Sequence, residues 1–567
     1  MPPLYTIRGR VWQAIGSRTT VGGAFRQGEI MRRTSALFVA ALAIGMTACS
    51  GGDSSSSTEA PTTDTVPMEA STTPPTEPPF APVAPAASGV GATTVEGPVT
   101  GGAGQIVFGT SAFDGSAFDY VEEEYFIGGT ATSYTSAVPL SEDGAWTVEP
   151  KDTADYKTRI VVRRPAASET FGGTVYVEWL NVTAGLDTGP TWSLSWIDMM
   201  RQGAVWVGVS TQRVGVEGGG NPMGEFRVLK KADPERYGSL NHPGDNYSYD
   251  IFSQACATVW QQADTILGGL QPEVVIAAGE SQSGFRMASY LNALAPIHDV
   301  YNGYLVHSRG SRAANLICAT NCVDPVDPSD VTTPAVVRIR EDLTRPVLNF
   351  VTETDVVGDR LGYRRAEQPD SEVFRNWEVA GTAHGDAYSL GINDGEKGDG
   401  QADIELFEAQ FGAPTSVYMG IIECSEPINA GPHTYVLRAA LRALDNWIRT
   451  GVAPASTPTL RNNADITGYE VDANGVALGG IRTPYVDVPM AVLSGIGQDG
   501  GGFCGLFGTT TSFTADQLDA LYPTADDFIA KWNEATDAAV ASGAILEIDA
   551  DAIKAAGANY GAMRAGM

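Results

Sequence analysis

The run Gly279-Glu280-Ser281-Gln282-Ser283-Gly284 holds two serines two positions apart, and a nucleophilic hydroxyl is the chemistry such a run could carry. A serine presented on a tight strand-to-helix turn needs small residues two before and two after it, because bulkier side chains collide where the chain reverses. Centred on Ser281 those positions are Gly279 and Ser283; centred on Ser283 they are Ser281 and Phe285. Phe285 does not fit, so Ser281 is the candidate, with Ser283 standing where a glycine is usual and Gly284 following. The plainer alternative is a serine that only caps a helix. A hydroxyl alone is a weak nucleophile and needs a base held in place by an acid. The chain has five histidines. In a strand–turn–helix arrangement the chain order is Ser, acid, His, each at the carboxyl end of its own strand. His384, in Gly381-Thr-Ala-His-Gly-Asp386 after the run FRNWEVA, meets that order; His433, opening the run HTYVLRAALRALDNWIRT, is the alternative base. For the acid, PVLNFVT runs into Glu353-Thr354-Asp355, with Asp355 favoured and Glu353 the alternative. One of the two at least only caps a turn. A tetrahedral oxyanion would need backbone donors. The amide of Gln282 supplies one, and Val182 or Thr183, after the run GTVYVEWLNV, is expected to supply the other.

The elements that must position these groups read as short β-rich runs separated by helical patterns. Lys157–Arg163, Gly173–Val182, Ala204–Ser210, Glu273–Ala278, Tyr301–His307, Pro346–Thr352 and Phe374–Ala380 are the predicted strands, several of them nearly continuous apolar stretches of the kind that is covered on both faces. Helical patterns are predicted over Tyr249–Leu267 and Met287–Leu294; Met287, Tyr290, Leu291 and Leu294 share one face. Strand and helix in alternation imply a parallel sheet between helices.

Read together, TFGGTVYVEWLNVTAG, SLNHPGDNYSYDIFSQA, GESQSG, FVTETD, FRNWEVAGTAH, GGIRTPYVDVPMAVLSG and FCGLFGTT resemble, in that order, a bacterial α/β-hydrolase domain family with a GESQSG elbow. The resemblance runs from about residue 97 to the C-terminus. It implies an α/β-hydrolase fold with a mostly parallel central sheet, helices on both faces and lid-like insertions. It also implies a Ser-acid-His hydrolase similar to serine esterases, with Ser281 as elbow serine and His384 as post-strand histidine. The expected activity is cleavage of a small-molecule carboxylic ester through an acyl-enzyme, with no cofactor and no metal. A non-catalytic binder on the same fold, or an amidase or lactonase using the same triad, are the alternatives. The insertions Thr211–Asn246, Ser308–Arg345 and Asp386–Ala430 fall where covering lids are usually placed. Trp179, Trp192 and Trp196, near the oxyanion loop, could line a pocket, although large aromatics there are more often core.

Ahead of this body, Arg32 and Arg33 precede the apolar run Ala36–Met46 and then Thr47-Ala48-Cys49. Basic residues, a short apolar core and small residues before a cut make a secretion signal, and the core is too short to span a bilayer. The pattern resembles a bacterial lipoprotein signal with Cys49 as the lipidated residue. The expected organisation is a leader and signal over 1–48, a Ser/Thr/Pro-rich tether over 49–96 that cannot bury enough apolar surface to order itself, and the α/β domain over 97–567. The protein is then expected to be exported and attached to the membrane through its lipid. A formal net charge of −31 argues against nucleic acid as a partner. Nothing here bears on oligomeric state. Export permits disulfides: Cys318–Cys322 is the favoured pair and Cys424–Cys504 the second, with Cys256 a small buried apolar residue. The acidic run from Asp394 to Glu405 fails the calcium-loop spacing and reads as a solvated loop.

Overall fold

The computed structural model describes residues 80, 89–109, 113, 115–317, 333–358, 360–390, 398–418, 422–499 and 502–565. The predicted leader, Cys49, most of the tether, Cys318, Cys322 and Asp394 lie outside these residues.

The runs that read as buried strands are the strands of one nine-stranded sheet, ordered β1-β2-β3-β5-β4-β6-β7-β8-β9. They are β1 (Thr94–Glu96), β2 (Tyr120–Thr135), β3 (Glu149–Pro165), β4 (Thr174–Trp179), β5 (Val205–Val209), β6 (Val274–Glu280), β7 (Gly303–His307), β8 (Val347–Thr352) and β9 (Phe374–Val379). β1, β2, β3 and β5 pair antiparallel in turn, and from β5 through β4 and β6 to β9 every pair is parallel. Every residue of β4, β5, β6, β7 and β8 is buried, which is why these stretches lack polar alternation.

Successive side chains of β6 take opposite sides. Val274, Ile276 and Ala278 join one core with Leu348, Phe350 and Trp377, whereas Val275 and Ala277 join the other with Tyr304 and Val306. Helices α1 (Pro190–Arg201) and α4 (His433–Thr450) cover the first side; α2 (Ser248–Gln261) and α3 (Gln282–Ala293) cover the second. The helices Ala525–Ala541 and Glu547–Ala565 add Phe528, Trp532, Ile553 and Tyr560 to the α1 and α4 side. The fold is thus α/β with a mostly parallel central sheet and helices on both faces.

Two departures from the sequence reading have physical causes. No strand was expected over β2, a stretch that carries Glu122-Glu123-Glu124 and Gly128-Gly129. Glu124 is nevertheless buried, and its charge is met by Arg236 at 2.6 Å and Arg159 at 3.4 Å, a pairing of residues far apart in the chain. The predicted helix over Tyr249–Leu267 divides into Ser248–Gln261 and Ala263–Ile266, broken at Gln262, whose backbone leaves the helical region.

The α2 side is dominated by rings. Phe252 lies 5.0 Å from Trp179, 5.6 Å from Tyr290 and 5.1 Å from Tyr301 between ring centroids. Replacing Phe252 by alanine removes the member common to these contacts. The expected cost is about 3–5 kcal/mol, read as a lower urea midpoint with an unchanged slope.

Candidate active site

The site is built where β6 ends. Ser281 follows Glu280 with φ 56° and ψ −118°, a left-handed backbone that a non-glycine residue adopts only when its surroundings hold it there. Its amide donates to the carbonyl of His307 at the end of β7 (3.0 Å), and its own carbonyl accepts from Phe285 in the first turn of α3 (3.0 Å). The crowding that demands small residues is explicit. A Cβ on Gly279 would sit 2.9 Å from the Ser283 carbonyl oxygen, and one on Gly284 would sit 2.7 Å from the His307 carbonyl oxygen. Ser283 is tolerated because its side chain points into buried space, where Oγ has no hydrogen-bond partner among the described residues. The steric need for glycine therefore falls one position later than the usual pattern, on Gly284.

Ser281 Oγ is 2.8 Å from His384 Nε2, and His384 Nδ1 is 2.6 Å from Asp355 Oδ1. Asp355 reaches the ring because it closes a one-turn helix after β8: its Oδ2 accepts from the Thr352 amide (2.7 Å) and the Thr352 hydroxyl (2.8 Å) while Oδ1 faces the imidazole. The histidine loop is pinned at its backbone. The His384 amide donates to Thr354 Oγ1 (3.1 Å) and the Gly385 amide to the Leu506 carbonyl (2.9 Å). Burial disfavours a charged imidazole, but the Asp355 charge, its hydrogen bond and Glu280 outweigh it and hold the His384 pKa above the ordinary histidine value.

Glu353, the alternative acid, points elsewhere. Its Oε1 accepts from the Gly381 amide (2.6 Å) and its Oε2 from the Gly495 amide (2.8 Å), so it clamps the loop before His384 to the segment after Ser494. Burial raises its carboxyl to about 7 against the pull of those amides. His433, the alternative base, lies beneath the site. Its Nδ1 is 3.1 Å from the Ala383 carbonyl and its Nε2 2.8 Å from His307 Nε2. Since a carbonyl only accepts, Nδ1 of His433 carries the hydrogen, its Nε2 accepts from His307, and His307 Nδ1 is left bare, in keeping with the lack of a partner there among the described residues. Burial holds His433 neutral, at about 4.

The amide of Gln282 has no acceptor among the described residues. Of the two loop positions, Thr183 donates its amide to Asn181 Oδ1 (2.7 Å), whereas the Val182 amide makes a long contact with the Gln282 side-chain oxygen (3.4 Å). Trp179 and Trp192 are core: Trp179 packs on Tyr249 and Phe252 and Trp192 on Trp206, and Trp196 is buried in the same core as Trp192. Cys424 and Cys504 form a disulfide, tying the end of the Asp386–Ala430 insertion to the segment that supports Gly385, and Cys256 is buried and unpaired. Asn181, Thr352, His307 and Glu280 were not singled out from the sequence. Asn181 and His307 make their contacts with backbone or with residues distant in the chain, whereas Glu280, adjacent to the serine, and Thr352, three residues before Asp355 in a capping box, carried a positional signal.

The family model for an alpha/beta hydrolase domain matches residues 95–555, and the chain belongs to that family. No curated protein matches the sequence. Among solved structures, the chain is similar to a fungal esterase from Rhizomucor miehei at 13% identity, with 47% of this chain and 78% of that chain covered and a TM-score of 0.26. It is also similar to a Xanthomonas campestris protein described as a member of a/b serine hydrolase without lid (12% identity, 44% and 83% covered, TM-score 0.23). A carboxylesterase from Lactobacillus plantarum matches at 12% identity, with 40% and 72% covered and a TM-score of 0.22.

The geometry of the turn separates two neighbouring substitutions. Gly284→Ala forces a methyl against the His307 carbonyl and is expected to cost about 1–3 kcal/mol. Ser283→Ala removes a buried, unpaired hydroxyl and is expected to be neutral or stabilising by up to about 1 kcal/mol. Thermal unfolding of the two proteins side by side checks the order.

Proposed function

We propose that this protein is a serine hydrolase of carboxylic esters working through an acyl-enzyme. The observation that carries the reading is the continuous line of contacts Ser281 Oγ to His384 Nε2 (2.8 Å) and His384 Nδ1 to Asp355 Oδ1 (2.6 Å). In the resting state Nδ1 donates to Asp355, which leaves the Nε2 lone pair to accept the serine proton. As Oγ attacks the ester carbonyl, its proton passes to Nε2; the carbonyl oxygen gains the negative charge and is met by the amides of Gln282 and Val182. His384 then returns the proton to the departing alcohol, and water repeats the sequence on the acyl-enzyme. The Gln282 side-chain oxygen gives up its contact with Val182 when substrate arrives. No step calls on a cofactor, and the substrate class is a small-molecule ester.

The family and the contacts support this reading over a non-catalytic binder, because a binding cleft has no use for a hydroxyl, an imidazole and a carboxylate in line. An amidase or lactonase would use the same groups; esters are favoured because an alkoxide leaves with less assistance than an amine. From Arg32, Arg33, the apolar run Ala36–Met46 and Cys49 we further propose export and attachment to the membrane by a lipid on Cys49. Incorporation of an alkyne fatty acid that disappears in Cys49→Ala would support the anchor; equal incorporation would remove it.

A fluorophosphonate probe should label the wild type and fail to label Ser281→Ala; an unlabelled wild type favours the binder. On p-nitrophenyl acetate, Asp355→Asn is expected to lower kcat roughly a thousand- to ten-thousand-fold. Glu353→Gln should leave kcat within about tenfold while lowering stability by about 1–3 kcal/mol, since it leaves one of two buried amides without its anionic acceptor. The reverse ranking would assign Glu353 as the acid. An anilide cleaved faster than its matched ester would move the assignment to amides.

A further inference from the structure

A second carboxylate stands at the histidine. Glu280 Oε1 is 3.3 Å from His384 Nε2, the nitrogen that also faces Ser281. Its position is built: Oε2 accepts from Asn181 Nδ2 (3.1 Å), the same nitrogen donates to the Glu280 carbonyl (3.1 Å), and Asn181 Oδ1 takes the Thr183 amide. One asparagine thus fixes the carboxylate, the end of β6 and the loop after β4. Glu280 is 6% exposed. A carboxylate that buried needs a cation or full hydrogen bonding, and the contact Oε1 makes at 3.3 Å with His384 Nε2 becomes an ion pair once the imidazole is protonated. The other ionisable groups around the pair are Asp355 on the far side of the ring, Glu178 from β4, and Arg360 from the loop after β8, with His307 and His433 kept neutral below by burial.

We propose that Glu280, held by Asn181, is a positioning residue that keeps the His384 ring on the Ser281 side and balances the imidazolium formed when the serine proton is transferred. This rests on the serine-hydrolase reading. In the attack step the Oγ–H bond breaks, its electron pair goes to the new bond with the carbonyl carbon, and the proton moves to Nε2. The Nε2–H so formed lies between Ser281 Oγ and Glu280 Oε1, so the cation is faced by Asp355 across one ring nitrogen and by Glu280 across the other. Glu280 takes no proton in this step. Burial raises the Glu280 carboxyl to about 7, with His384 pulling it down and Asp355 and Glu178 pushing it up, so the charge that supports His384 is complete only above neutral pH and fades as the pH falls through 7.

The test is the pH profile of Glu280→Gln, which keeps the shape and the Asn181 contact but removes the charge. Glu280 favours the protonated imidazole, so without it His384 stays neutral to lower pH. The acid limb of kcat/KM is expected to move about one unit toward acid, and kcat on the plateau to fall about tenfold. Glu280→Asp, one methylene shorter, should fall between the two. The His384 ring titration, followed by NMR on protein carrying carbon-13 histidine, should move in the same direction without any turnover. A lower plateau with an unmoved limb and an unmoved ring titration in both variants would reduce Glu280 to a packing role and overturn the proposal. If the wild type takes no fluorophosphonate, the hydrolase reading fails, and the ring titration alone still decides whether Glu280 governs the histidine.

Discussion

The left-handed backbone at Ser281 is the constraint on which the rest of the site depends. A chain leaving β6 can enter α3 at once only by reversing sharply, and the reversal brings the first turn of the helix against the end of β7. The His307 carbonyl binds the Ser281 amide and also occupies the space that a side chain on Gly284 would need. Backbone strain of this kind costs of order 1–3 kcal/mol and persists only where packing over-determines it. Here the buried strands on either side supply that packing, and what the strain obtains is a hydroxyl standing clear of the sheet at the amino end of a helix.

Around that turn, buried carboxylates are sorted by what faces them rather than by residue type. Glu178 ends its reach on the Thr191 and Trp192 amides and the Trp206 indole, so it caps α1; Glu353 spends both oxygens on two loop amides; Asp355 gives one oxygen to its own turn and the other to an imidazole. Burial lifts the carboxyls of Glu178 and Glu353 to about 7, so neutrality is within easy reach for both. The Asp355 oxygen that does not face the imidazole accepts from two donors, both on Thr352. The same logic separates the histidines. His307 and His433 pair through their Nε2 atoms and are kept uncharged by burial, and among the described residues it is His384 whose ring nitrogens contact carboxylates.

Much of this was legible because the candidate residues follow the ends of strands. The apolar runs that became β4 and β6 through β9 announced themselves by their lack of alternation, and Ser281, Asp355 and His384 follow three of them. Asp355 was favoured over Glu353 by its place after the strand, but the two sit in one helical turn, and only the contacts made by their side chains separate the imidazole partner from the loop clamp. β2 was not legible for a different reason: three successive glutamates fit a strand only because Arg159 and Arg236 meet Glu124, Arg163 meets Glu122 and Arg164 meets Glu123. The role of Asn181 was not legible, because its value lies in joining its own loop to the end of β6, 99 residues away and a neighbour only in the fold. The cysteine pairing divides in the same way, with Cys424–Cys504 present and Cys318 and Cys322 outside the described residues.

The disulfide closes a span of 80 residues that contains the whole of α4 and His433. One of its ends belongs to the insertion after the histidine loop, and the other lies two residues from Leu506, whose carbonyl holds the Gly385 amide. A protease that cuts the chain once inside that span therefore produces two fragments that remain covalently joined beside the His384 loop. Nicked and intact protein would share one mobility until a reductant is added, and the support under His384 would outlast the continuity of the backbone.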